Sequence, residues 1–86
     1  MRDSLRSPRQ QQLRALLRGM RIERSLTQAD VADRLAKPQS FVAKYEGGER
    51  RLSVVEFIDV VKALEANPSD VLRHLVKLTE QGKRQS

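Results

Sequence analysis

Apolar residues recur at helical spacing in five successive segments of the chain. In the first segment they follow the i, i+3, i+4, i+7 pattern that lines one face of a helix. These positions are Leu13, Leu16, Leu17 and Met20. Ser7 can cap the preceding end and Pro8 suits the first helical turn. We therefore predict a first helix that begins at Pro8 and ends near Arg24 or Ser25.

Start and stop signals also bound the second and third helices. Thr27 can accept a hydrogen bond from the backbone N–H near Asp30, which begins helix two. Pro38 cannot continue that helix but suits the first turn of the next. Gly47 and Gly48 then end helix three. The third helix is predicted from about Pro38 to Glu46.

Helices four and five begin with equally clear caps. Ser53 and Glu56 have the spacing of a capping box, and Asn67 precedes Pro68 at the start of helix five. Helix five is expected to reach about Leu78. The predicted organisation is a flexible basic arm at residues 1–7, one all-α, compact five-helix domain at 8–78, and a polar tail at 79–86.

Helices two and three are separated by only Ala36 and Lys37, so they cannot lie antiparallel and must cross steeply. A steep crossing needs a small residue at the close approach, and Ala32 is available there. Val42 and Tyr45 supply apolar anchors on the third helix. This spacing predicts a helix-turn-helix.

The net charge of +6 is concentrated at the start of the chain. Residues 1–25 hold seven arginines against Asp3 and Glu23, whereas residues 54–86 are neutral. This distribution favours a polyanionic partner on one side of the domain and a neutral or self-associating surface on the other.

Several other classes of function are disfavoured by composition. The chain has no cysteine and one histidine, His74, so neither a metal site nor a catalytic nucleophile–base pair is indicated. It has no long apolar run and no secretory h-region. We expect a cytoplasmic protein that is not an enzyme, with no cofactor, small-molecule ligand or membrane partner.

With these features, the sequence resembles the Cro/C1-type (XRE-like) helix-turn-helix regulators, which include phage repressors and restriction–modification controller proteins. The resemblance extends from Leu13 to Leu72. The residues that carry it are Leu26, Thr27, Gln28, Val31, Ala32, Leu35, Gln39, Ser40, Val42, Tyr45, Glu46 and Gly48, with the apolar stripe of helix four. It implies a lambda-repressor-like domain that binds double-stranded DNA through helix three.

The resemblance also implies roles for individual residues. The base-reading positions of helix three correspond to Gln39, Ser40 and Lys44, whose side chains have the hydrogen-bonding groups for that role. Gln28 corresponds to a glutamine that contacts a phosphate and supports the one opening helix three. Arg21 and Glu46 correspond to a structural ion pair between helices one and three.

Further phosphate contacts are expected beside helix three. Arg50 and Arg51 follow the two glycines, and Lys37 lies in the turn. Two placements of Phe41 are open: at the surface against a thymine methyl or sugar, or folded back against helix two.

Three positions depart from the family pattern. Ala36 replaces a glycine in the turn, Glu49 replaces a common lysine and Leu52 replaces a proline. These changes leave the predicted fold intact, and Glu49 weakens the case for phosphate contacts from its loop.

Apolar residues of helix five exceed what a small core requires. Val71 and Leu72 can close the core, which leaves Leu75, Val76 and Leu78 for a homodimer interface, with Val55 beside them. The sequence therefore predicts a transcriptional regulator, of repressor or controller type, that binds a palindromic operator as a homodimer. The alternative is an antitoxin or antiactivator whose main role is binding a partner protein.

Overall fold

The computed structural model describes the backbone of residues 7–85 and the side chains of that range except those of 79 and 81–85. The basic arm predicted at residues 1–7 therefore lies outside the described residues, apart from Ser7. The described chain forms five α-helices and no strand, which confirms the all-α prediction. The helices are α1 (Pro8–Glu23), α2 (Gln28–Leu35), α3 (Gln39–Gly47), α4 (Val54–Ala63) and α5 (Pro68–Gln85).

Four helices begin at a side-chain cap that the sequence predicts. The cap residues are Ser7, Thr27, Ser53 and Asn67. At α4 the Ser53 hydroxyl accepts from the Glu56 N–H at 3.1 Å, and the Glu56 carboxylate accepts from the Ser53 N–H at 2.9 Å. Each cap joins residues at most three positions apart, so these helix starts are determined locally.

The third helix begins one residue later than predicted. Pro38 has extended backbone angles (φ −70°, ψ 154°) and occupies the N-cap position instead of the first turn. Its carbonyl accepts from the Phe41 N–H at 2.9 Å, and no side chain caps this end. At the other end Gly48 has φ 83°, a conformation that glycine adopts without strain.

The turn between α2 and α3 depends on Ala36, which is left-handed at φ 57° and ψ 43°. This conformation allows the Lys37 N–H to donate to the Ala32 carbonyl at 3.0 Å. An alanine in this region costs about 1 kcal/mol or more relative to glycine. The protein thus accommodates Ala36, where the family has glycine, at the cost of this backbone strain.

Aliphatic residues make up most of the core, which places α3 against α1 and α2. Its buried members are Leu17, Val31, Ala32, Phe41, Val42, Tyr45, Val60, Val61, Leu64 and Val71. α5 closes the other side by packing on α1 and α4. One face of α3 is therefore anchored while Gln39, Ser40 and Lys44 are exposed.

Two expectations for α5 were wrong. The helix continues beyond Leu78 to Gln85, because the segment has good helix formers, no proline and only one glycine. Leu72 does not close the core, since 51% of it is exposed, whereas Val71 is buried. Adjacent residues lie on different faces of a helix, and the core reaches α5 only on the side of Val71.

None of the described helices combines the length and apolarity needed to cross a bilayer. In the same part of the chain, no three His, Asp or Glu side chains cluster as metal ligands would.

Candidate nucleic-acid interface

A continuous chain of polar side chains joins the starts of α2 and α3 to α1. Arg21 donates to Glu46 through Nε at 2.7 Å and through a terminal nitrogen at 3.0 Å. Gln28 Nε2 donates to Glu46 Oε1 at 3.0 Å, and Gln39 Nε2 donates to Gln28 Oε1 at 3.0 Å. The structure thus connects a predicted base-reading residue, Gln39, to the predicted ion pair.

The ion pair in this chain is largely withdrawn from solvent. The Arg21 and Glu46 side chains are 12% and 4% exposed, and Arg21 also donates to the Leu26 carbonyl at 2.9 Å. Hydrogen bonding to Glu46 raises the pKa of Arg21 above its ordinary value. Burial raises the pKa of the neighbouring Tyr45 hydroxyl. Both groups keep one protonation state at any physiological pH.

Ser40 and Lys44 lie on the exposed side of α3, four residues apart, so they share a face of the helix. Gln39 is exposed at the start of the same helix. The buried side is held by Phe41, Val42 and Tyr45. α3 therefore presents a short polar row on a helix that the core fixes in place.

Phe41 folds into the protein, with 8% of its surface exposed, which excludes the placement at the surface. Its ring meets Tyr45 edge-on, with centroids 5.6 Å apart and planes at 74°. Lys37 Nζ lies 5.2 Å and Arg50 Cζ 4.7 Å from the ring centroid. These distances suit cation–π contacts, so one ring contacts a cation from the turn before α3 and a cation from the loop after it.

Arg50 is engaged more closely than the sequence indicated. It forms a bidentate pair with Glu56 at 2.8 Å for both bonds, and it donates to the Arg51 carbonyl at 2.9 Å. Sequence reasoning identified Glu56 only as the capping-box residue and missed this partner. The pair leaves Arg50 fewer donors for a phosphate. The side chains of Lys37 and Arg51 are exposed.

Acid should weaken the fold through Glu56. The Arg50 guanidinium, and then the Ser53 N–H, lower the pKa of this carboxyl from 4.5 to about 2. A lowered folded-state pKa contributes stability that is complete above pH 4.5 and is lost as the pH falls towards 2. We expect urea denaturation followed by circular dichroism to show this loss, with a shallower decline for Glu56→Gln. An identical acid response in both proteins would contradict the assignment.

The predicted interface residues of α5 are not equally accessible. Val76 is 45% exposed, whereas Leu75 and Leu78 are half-buried. The other exposed large aliphatic side chains among the described residues are Leu72 at 51% on α5, Val54 and Val55 on the first turn of α4 at 75% and 67%, and Ile22 on α1 at 52%. We call Val54, Val55, Leu72 and Val76 the α4–α5 apolar set.

In a comparison with known protein families, residues 12–75 match a family model described as "Helix-turn-helix domain". The solved structure of an XRE-family like protein from Pseudomonas syringae pv. tomato str. DC3000 matches this chain with a TM-score of 0.79, and the two sequences are 42% identical. The match covers 83% of this chain and 87% of that one. A search of curated protein sequences gave no match.

Controller proteins of restriction–modification systems also share the fold. C.AhdI from Aeromonas hydrophila is 28% identical with a TM-score of 0.60, over 70% of this chain and 88% of that one. C.Esp1396I, solved as a tetramer in complex with its natural 35 base-pair operator, is 21% identical with a TM-score of 0.75. That match covers 83% of this chain and 93% of the controller.

Proposed function

Because the chain belongs to the XRE-like helix-turn-helix family of DNA-binding regulators, we propose that it binds a specific, palindromic double-stranded operator as a homodimer and regulates transcription there, as a repressor or controller. The observation that carries the proposal is the exposed row of Gln39, Ser40 and Lys44 on a helix whose opposite face is buried. A helix presented in this way fits the width of the DNA major groove.

The exposed row suits base reading. Glutamine can bond adenine N6 and N7 together, lysine can donate to guanine O6 and N7, and serine is less selective. We assign phosphate contacts to Gln28, Lys37 and Arg51, which flank the row. Arg50 makes a smaller contribution, because Glu56 already neutralises it.

Base reading and phosphate binding are separable by selecting bound fragments from random DNA and then measuring variants on the selected site. Gln39→Ala or Lys44→Ala should lose about 1–3 kcal/mol of discrimination at one base pair. Lys37→Ala or Arg51→Ala should weaken binding to all sequences and reduce the salt slope by about 1. Arg73→Ala, which removes an exposed cation on α5, is the control for loss of one charge.

Equal effects of the two classes of variant on every sequence would contradict these roles. Binding to a partner protein alone, as in an antitoxin, predicts no steep salt dependence with any duplex. A selected site without two-fold symmetry would contradict the palindromic operator.

The homodimer is assigned to the α4–α5 apolar set together with Leu75 and Leu78. C.Esp1396I, which has the same fold, assembles as a tetramer on its operator, and this supports self-association here. Exposed aliphatic side chains gain free energy when a second copy covers them. A symmetric pair would place two copies of α3 on two half-sites.

Val76→Glu should therefore convert a dimer to a monomer in sedimentation velocity, with unchanged helix content. Ile22→Glu is the matched control, because Ile22 is 52% exposed but lies on α1, outside the α4–α5 apolar set. A monomeric wild type, with and without operator DNA, would overturn the assignment.

A further inference from the structure

Hydrogen-bond direction is fixed at the buried end of the polar chain. An ionised carboxylate can only accept, so the side-chain amide of Gln28 must turn its Nε2 towards Glu46. The reverse orientation would bring an amide oxygen against the Glu46 oxygen at the observed 3.0 Å, where the carboxylate is 4% exposed. Arg21 keeps this carboxylate in place through two hydrogen bonds.

The orientation of the Gln28 amide determines the orientation of the Gln39 amide. With Nε2 of Gln28 directed at Glu46, its Oε1 faces Gln39 and can only accept. Gln39 must therefore turn its own Nε2 inward, at 3.0 Å from that oxygen. Its Oε1 and its second Nε2 hydrogen are left on the exposed side.

We propose that the Arg21–Glu46 ion pair determines which base Gln39 reads, because it sets the direction of every hydrogen bond between them. One outward acceptor and one outward donor complement adenine, which offers the N6 donor and the N7 acceptor. Guanine offers two acceptors, O6 and N7, and would meet an amide oxygen. Glu46 and Gln28 thus act as specificity-determining residues through Gln39.

This inference rests on the proposed function, since it requires Gln39 to read a base. The test begins by using Gln39→Ala to identify the base pair whose preference is lost. Affinities are then measured for operators with adenine or guanine at that position. The wild type should favour adenine by roughly 5- to 150-fold, the range of a good bidentate contact.

Glu46→Gln provides the main test. A neutral amide can present either oxygen or nitrogen to Gln28, so the hydrogen bonds that link residue 46, Gln28 and Gln39 can then run in either direction. The adenine-to-guanine ratio should fall at least about fivefold towards one. Gln28→Ala interrupts the chain while leaving the ion pair intact, so it tests the same inference if Glu46→Gln fails to fold. It should lower the ratio as well as the overall affinity.

Glu56→Gln is the matched control. It removes the carboxylate of the other bidentate arginine pair, which has no contact with Gln28, and should leave the ratio unchanged. A wild-type preference for guanine, or an unchanged ratio in Gln28→Ala and in folded Glu46→Gln, would overturn the inference while base reading stands. Specific binding with no preference at any position sensitive to Gln39 would remove both the inference and the assignment of Gln39.

Discussion

Replacing Arg21 with alanine should lower the free energy of unfolding by about 3–5 kcal/mol, because it leaves a buried carboxylate without its cation. Glu46 is 4% exposed, and the amide of Gln28, which also donates to it, carries no charge that could replace the guanidinium. In a domain of this size the loss corresponds to a fall in melting temperature of more than about 12 °C. Urea denaturation monitored by far-UV circular dichroism measures it directly.

The same measurement on two other variants shows whether burial is the cause. Glu46→Ala should cost less than Arg21→Ala, since the stranded guanidinium is more exposed and keeps its bond to the Leu26 carbonyl. Arg73→Ala removes the exposed pair with Asp70 and should cost no more than about 1 kcal/mol. A loss from Arg21→Ala as small as that from Arg73→Ala would show that the Arg21–Glu46 pair is not a buried one.

Phe41→Ala should be comparably destabilising, by about 3–5 kcal/mol, because it opens a cavity beneath α3. It also removes the edge-on contact with Tyr45 and the ring beneath Lys37 and Arg50. Thermal and urea unfolding measure the loss. With its ring support gone, Arg50 should pair less tightly with Glu56, and the acid response assigned to Glu56 should become smaller.

Phe41→Leu is the companion variant, because leucine retains much of the apolar volume but has no aromatic face. It should recover a large part of the lost stability while showing the same diminished acid response as Phe41→Ala. An acid response equal to that of the wild type in both variants would mean that the ring does not position Arg50.

Local signals account for the elements that the sequence predicts well. The caps at Ser7, Thr27, Ser53 and Asn67 each use atoms within three residues, so their geometry follows from short motifs. The buried faces follow from helical periodicity, which depends only on spacing. The proximity of Arg21 and Glu46 was inferred from the family resemblance, since no local rule joins residues so far apart.

Features that depend on packing between helices were predicted less well. Leu72 and Val71 are equally apolar, and only the position of α1 and α4 determines which one is buried. The bond between Arg50 and Glu56 needs a loop conformation that composition does not determine. The predicted end of α5 is too early because the polar segment after Leu78 is predicted as a tail, although its residues favour helix.

The single carboxylate of Glu46 joins α1, α2 and, through Gln28, the first residue of α3. This arrangement restricts how binding preference could be redesigned. A library randomised at Ser40 and Lys44 alone would leave the polar chain untouched and should yield folded members in high proportion. Transplanting the whole of α3 into another regulator would succeed only where the recipient supplies an arginine and a glutamine at positions equivalent to Arg21 and Gln28.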